Sequence, residues 1–207
     1  MKDKLYRVKG FTLTEMIVVL AIIGILTAIL IPSMSGYYWK SRVKASNSDA
    51  KMVYNAAQTS AQKYLSADRV FDSDHSDQKS GLEGVMLISY SNGNFSYVTG
   101  ANALSTPSIP VGGTHTDIKE AAVAGLVRDV NTTVSGADTK CWSVYIDNYI
   151  VQGSIAADSM ATSYVGYYSS GRTFATERTR TPYSSWLGTG TEAAVDSLTE
   201  VASRYNS

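Results

Sequence analysis

Met16-Ile-Val-Val-Leu-Ala-Ile-Ile-Gly-Ile-Leu-Thr-Ala-Ile-Leu-Ile31 runs for 16 residues without a formal charge. A helix drawn through it is apolar on every face, which excludes an ordinary amphipathic surface helix. Extended back to Phe11 the stretch is 21 residues, about 30 Å at about 1.5 Å per residue, which matches the hydrocarbon core of a bilayer. The ten residues before it, Met1-Lys-Asp-Lys-Leu-Tyr-Arg-Val-Lys-Gly10, hold four cations (Lys2, Lys4, Arg7 and Lys9) and one acid, Asp3. Cations on that flank predict a membrane span with its N-terminus inside and the C-terminal body outside.

Working outward, the whole chain of 207 residues is formally neutral, with 18 Lys+Arg against 18 Asp+Glu. Without the leader it keeps 14 cations and 17 acids, a net of −3. Such a balance argues against a general nucleic-acid binder, which carries a basic excess. One cysteine cannot make an internal disulfide or a thiolate-rich zinc site. At 44 % hydrophobic residues the chain is too apolar for disorder.

Three explanations of the apolar run compete. A cleaved secretory signal fits the basic start, with Ser33-Met34-Ser35 as a small-x-small cleavage site. The run is longer than a usual signal core, however, and Glu15 stands at its edge. A plain anchor explains the length but not Glu15, because an ionised carboxylate in a membrane is costly. In the third, Glu15 awaits a partner: it stands four residues beyond a potential new N-terminus at Phe11, whose α-ammonium on another copy could neutralise it. The bland account of Glu15 is an acid at the interface, reaching to water.

Lys9-Gly10-Phe11-Thr12-Leu13-Thr14-Glu15, followed by an apolar run with Gly24 and Pro32, resembles the N-terminal signature of type IV pilins, with Thr14 where an aliphatic residue is more usual. The resemblance covers about 30 of the 207 residues and leaves the remainder unaddressed. It implies that a membrane peptidase cuts after Gly10 and methylates Phe11, and that Glu15 governs filament assembly together with the Phe11 ammonium. Pro32 falls where many pilins have a helix-kinking proline. The lone cysteine departs from the C-terminal disulfide loop of many Gram-negative pilins and points to a Gram-positive source.

Beyond Pro32 the pattern turns amphipathic: Tyr38, Trp39, Val43, Ala50, Val53, Tyr54, Ala57, Ala61, Tyr64 and Leu65 recur at helical spacings. One helix continuing from the membrane predicts an apolar face laid on a globular head. Pro32 lacks an N–H, so a bend or local melting is expected there, with Gly24 and Gly36 loosening the same region. Gly24 also suits close helix packing. Asp68 to Gly81 is a polar loop. Val85–Tyr90 and Phe95–Val98 flank Asn92-Gly93, a hairpin signal. Thr99–Thr116 is a long loop, and Asp117 caps a short helix to about Val127, with Glu120 at the capping-box position. Cys141–Val151 is a central strand, Tyr164–Tyr168 and Thr173–Thr176 form a hairpin, and Thr191 opens a final helix. The expected fold is α+β, an antiparallel sheet packed on the amphipathic half of a long helix. Its organisation is leader 1–10, membrane or filament-core half 11–35, amphipathic half 36–66 and head 67–207.

No catalytic constellation stands out, and the chain is expected not to be an enzyme. His75 and His115 stand in polar loops and are taken as solvated; Cys141 is taken as a buried inert thiol. Asp72, Asp74 and Asp77, with Asp68 and Glu83, could supply oxygen ligands to calcium but lack EF-hand spacing; otherwise no cofactor is implied. Most of the 14 tyrosines, such as Tyr145 and Tyr149, are assigned to sheet packing. Asn94-Phe-Ser96 and Asn131-Thr-Thr133 match a weak glycosylation triplet.

The resemblance therefore implies a prepilin stored in the cytoplasmic membrane and polymerised into an extracellular helical filament of identical subunits. Its expected partners are the prepilin peptidase, the assembly platform with its ATPase, and lipid before assembly; no specific nucleic acid is inferred. The alternatives are a minor pilin or a pseudopilin of a secretion or DNA-uptake machine, and a signal-anchored secreted enzyme.

Overall fold

The structure, a computed structural model, describes residues 10–70, 79–99, 108–161, 164–169 and 172–174. The chain forms two compact units, Met1–Lys40 and Ser41–Ser207. Helix α1 (Leu13–Asp68) begins in the first and ends in the second.

In the first unit α1 carries Ile17, Leu20, Ile25, Ile29 and Ile31 at more than half exposure. Their burial requires a non-aqueous surrounding or other chains. Thr27, the one hydroxyl in the run, donates to the Ile23 carbonyl at 2.7 Å and so leaves no free polar group. The helix continues through Pro32 without a break, so the local melting expected there is not found. A Cβ at Gly24 or Gly36 would meet no neighbour among the described residues.

The second unit is built on the amphipathic part of α1. Val43, Ala50, Val53, Ala57 and Ala61 are buried, with Tyr54, Tyr64 and Leu65 partly covered. They face a seven-stranded antiparallel sheet in the order β3-β2-β1-β4-β5-β6-β7. Its strands are β1 (Val85–Ser91), β2 (Asn94–Thr99), β3 (Ile109–Pro110), β4 (Cys141–Asp147), β5 (Ile150–Ala157), β6 (Val165–Ser169) and β7 (Arg172–Phe174). Alternation aims Met86, Ile88, Tyr90, Phe95, Trp142, Val144 and Ile146 at α1 and at α2 (Ile118–Thr133). The opposite face gathers Leu87, Val98, Cys141, Ile155, Ala157, Val165 and Tyr167 into a second cluster. The α+β expectation stands, with an antiparallel sheet on the long helix.

Besides β3, which pairs with β2 inside the stretch Thr99–Thr116 expected to be a loop, two elements differ from the sequence reading. Cys141–Val151 is not one strand: Asn148 and Tyr149, at φ 48° and 65°, turn the chain between β4 and β5. A tyrosine in the left-handed region is rare, and the turn is held from outside itself. The Tyr149 carbonyl accepts from Gln58 Nε2 at 3.2 Å and Gln62 Nε2 at 3.3 Å, and Val151 N–H donates to Gln58 Oε1 at 2.8 Å. The second difference is α2, which runs on to Thr133 rather than ending near Val127, because Val130 is still buried in the core. Asp117 is its N-cap, accepting from Glu120 N–H at 2.9 Å. The Asn92-Gly93 turn is present, with Ser91 opposite Asn94. The final helix from Thr191 lies outside the described residues, as do residues 170–171 between β6 and β7.

Polar residues stitch α1 to the sheet. Ser46 Oγ donates to the Tyr164 carbonyl at 3.0 Å, Tyr167 N–H donates to Asn47 Oδ1 at 3.0 Å, and Ser154 Oγ donates to the Ala50 carbonyl at 2.7 Å. A Cβ on Gly166 would collide with the backbone of Ser46 and Asn47, so glycine is what lets helix and strand approach so closely. At the end of α1 the buried Asp68 accepts from Ser80 N–H at 2.9 Å, from Ser80 Oγ, and from Tyr149 OH at 2.6 Å.

Candidate functional site

The residues that carry the N-terminal signature lie together where α1 begins. Gly10, Phe11 and Thr12 precede the helix, and the Phe11 side chain is 79 % exposed. Thr12 is the residue at which the helix is capped. Its N–H and its Oγ1 both donate to Glu15 Oε2, each at 2.8 Å, and Glu15 N–H donates back to Thr12 Oγ1 at 3.3 Å. The first backbone bond of the helix follows, from Met16 N–H to the Thr12 carbonyl at 3.3 Å.

This is a capping box, in which a hydroxyl at the helix start and an acid three residues on satisfy one another's backbone donors. The helix therefore starts at Leu13, and the Gly10–Phe11 peptide stays outside it. Thr12-Leu-Thr-Glu15 fits the capping-box pattern by spacing alone; reading Glu15 only for its intermolecular use passed over it. Glu15 is thus engaged inside its own chain, by one oxygen. Its Oε1 takes no hydrogen bond among the described residues.

Gly24 and Pro32 lie on the exposed helix half, away from this cluster in sequence. The half is long and apolar enough to cross a membrane, and its most apolar stretch is unburied.

Among the described residues the other candidates do not assemble into a site. His115 is not solvated as expected. Its side chain is buried, Nδ1 lies 2.7 Å from Glu120 Oε1, and the ring packs edge-on against Phe95 with centroids 5.7 Å apart. Glu120 is turned towards His115, which ties the loop to the first turn of α2. Cys141 is buried, with Sγ 3.2 Å from Ser91 Oγ. His75, Asp72, Asp74 and Asp77 lie outside the described residues. Of the remaining calcium candidates, Asp68 is occupied by Ser80 and Tyr149, and Glu83 is exposed beside Lys79 at 3.9 Å. No group of three metal-ligating side chains occurs among the described residues. Asn131 accepts from Trp142 Nε1 at 3.0 Å, so that triplet serves the core. Tyr149 stands in a turn, yet its side chain is buried in the core cluster with residues of the sheet. Burial first, and then its bond to Asp68, raise its pKa well above the ordinary tyrosine value.

A family model described as the prokaryotic N-terminal methylation motif matches residues 5–31, which include Gly10, Phe11 and Glu15. No solved structure matches the chain.

Proposed function

We propose that this chain, which carries the type IV pilin signal at residues 5–31, is a structural subunit that polymerises through α1 into a surface filament. The motif supports a membrane-anchored precursor of the pilin family, processed by prepilin peptidase. The observation that carries the finer reading is the coincidence of that motif with a helix half whose apolar side chains are exposed throughout. Such a surface needs lipid while the subunit is stored, or neighbouring helices once it is assembled.

In this reading the peptidase cuts after Gly10 and methylates Phe11. Extraction exchanges lipid for neighbouring α1 helices, and small residues such as Gly24 admit close approach of backbones. The Glu15 carboxylate of one subunit meets the Phe11 ammonium of another, which fixes their axial register. An external ATPase drives extraction through an assembly platform. A head of modest charge, presented outside, is then the part available to surfaces or to neighbouring heads.

Mass spectrometry of the mature subunit tests the processing: methylated Phe11 at the N-terminus is expected, whereas cleavage near Ser35 refutes the reading in favour of a secreted protein. Electron microscopy of surface filaments tests the polymer. Glu15→Ala should insert and be cleaved normally yet be absent from filaments, and ordinary filaments built from it would sink the assigned role.

A further inference from the structure

We infer that Thr12 is a positioning residue for assembly: it holds one oxygen of Glu15 within the subunit and leaves the other presented to the ammonium group of a second copy. The inference rests on the filament reading and adds to it a residue that the reading leaves without a task. Both donors of Thr12, the N–H and the hydroxyl, go to the same atom, Oε2, at 2.8 Å each. Oε1 is left over among the described residues, and a carboxylate keeps full acceptor capacity on its second oxygen. The third bond, from Glu15 N–H to Thr12 Oγ1, fixes the hydroxyl so that its hydrogen points at the carboxylate.

Two consequences follow from one threonine. A lone carboxylate at the edge of an apolar span is costly, and Thr12 supplies it with two donors while the subunit waits without a partner. A glutamate free to rotate would also lose several rotamers on pairing, whereas one already held by Thr12 has lost them beforehand. Methylation leaves the Phe11 nitrogen with two N–H donors, and Oε1 can take one of them without breaking either bond from Thr12.

Thr12→Val keeps shape and backbone N–H but deletes the hydroxyl; Thr12→Ser keeps the hydroxyl. Each variant is co-expressed with the unaltered chain. Its share in sheared filaments is then divided by its share of the methylated Phe11 pool in the membrane, which removes any effect on cleavage. Thr12→Val should be about tenfold under-represented in filaments, as the loss of a hydrogen bond to a charged group implies, with Thr12→Ser within about twofold of the parent. Thr12→Ala, a second route to the same deletion, should follow Thr12→Val. Equal incorporation of Thr12→Val and the parent overturns the inference, as does a Thr12→Ser chain as depleted as Thr12→Val. Glu15→Ala run alongside separates the two failures. If it too assembles normally, the filament reading of Glu15 falls; if it alone is excluded, only the task given to Thr12 falls.

Discussion

Gly166 offers a sharp test of how α1 meets the sheet. It lies in β6 opposite Ala156, and a methyl group there has no direction to move except into the helix backbone at Ser46 and Asn47. Those residues are anchored by the bonds to Tyr164 and Tyr167, so Gly166→Ala forces either a helix shift or the loss of both bonds. Overpacking of this kind costs about 1–3 kcal/mol, and each lost hydrogen bond adds about 0.5–1.5 kcal/mol. Against this, alanine loses less backbone entropy on folding, which returns about 0.4–1 kcal/mol. The net expectation is a loss of about 2–4 kcal/mol, which lowers Tm by roughly 5–15 °C for a unit of this size. The assay is thermal unfolding of the full chain in detergent, followed through the fluorescence of Trp142, which is fully buried in this unit. Two controls frame the result. At Gly125 a Cβ meets only the far end of the Tyr64 side chain, which can swing, and at Gly112 it meets nothing. Gly125→Ala should lose less than Gly166→Ala, and Gly112→Ala should stay near the parent. A Gly166→Ala chain melting within about 2 °C of the parent would refute the close approach of helix and strand.

Two further perturbations address the polar ties. Burial on its own would raise the pKa of Asp68, but the bonds from Ser80 and Tyr149, with help from Lys79, hold it below the usual carboxylate range. Its stabilisation is therefore present above about pH 4, the unfolded value, and is lost as pH falls below that. Tyr149 is raised, so its contribution is present below about pH 10 and is lost as pH climbs past it. Tyr149→Phe should cost about 1–3 kcal/mol at neutral pH and weaken both the acid and the alkaline loss; denaturant titrations that superimpose on the parent at pH 3, 7 and 10.5 would contradict this. At another corner Lys140 pairs with Asp49 and lies 3.8 Å from Asp158, which also receives Arg42 at 3.8 Å. These groups are partly exposed, so Lys140→Ala should cost about 1 kcal/mol or less. The difference should shrink towards zero in 1 M salt, and a salt-independent loss of the same size would point to packing instead.

The apolar run was legible because sixteen uncharged residues admit few alternatives, and the first hairpin because Asn92-Gly93 suits a two-residue turn. The turn between β4 and β5 was hidden because Asn148-Tyr149 lacks glycine. Its stability comes from Gln58, Gln62 and Asp68, about 80 to 90 residues earlier in the chain, and no local pattern records such a partner. The same applies to Ser46 and Asn47, which in a helical pattern look like solvent-facing residues yet are buried against strand carbonyls and amides. His115 looked solvated because its loop is polar; its partner Glu120 is five residues on, in the first turn of the helix that Asp117 caps. At the candidate site Gly10, Phe11 and Glu15 were singled out through the resemblance of the N-terminal stretch, and the matching motif spans all three. The engagement of Glu15 by Thr12 was legible too, but only if the same acid is allowed two roles.

The polar ties between α1 and the sheet fall at Ser46, Asn47, Ala50, Gln58, Gln62 and Asp68, a span of about 33 Å along the helix at about 1.5 Å per residue. A tensile load applied along the helix axis would strain these ties in parallel, as in a lap joint, instead of peeling them apart one after another. Rupture then demands near-simultaneous failure of several bonds together with the apolar seam between them. Resistance to forced unfolding is set by an unfolding rate and not by equilibrium stability, so two heads of equal melting temperature could differ widely in strength. The placement of a few serines, asparagines and glutamines would decide which of them holds.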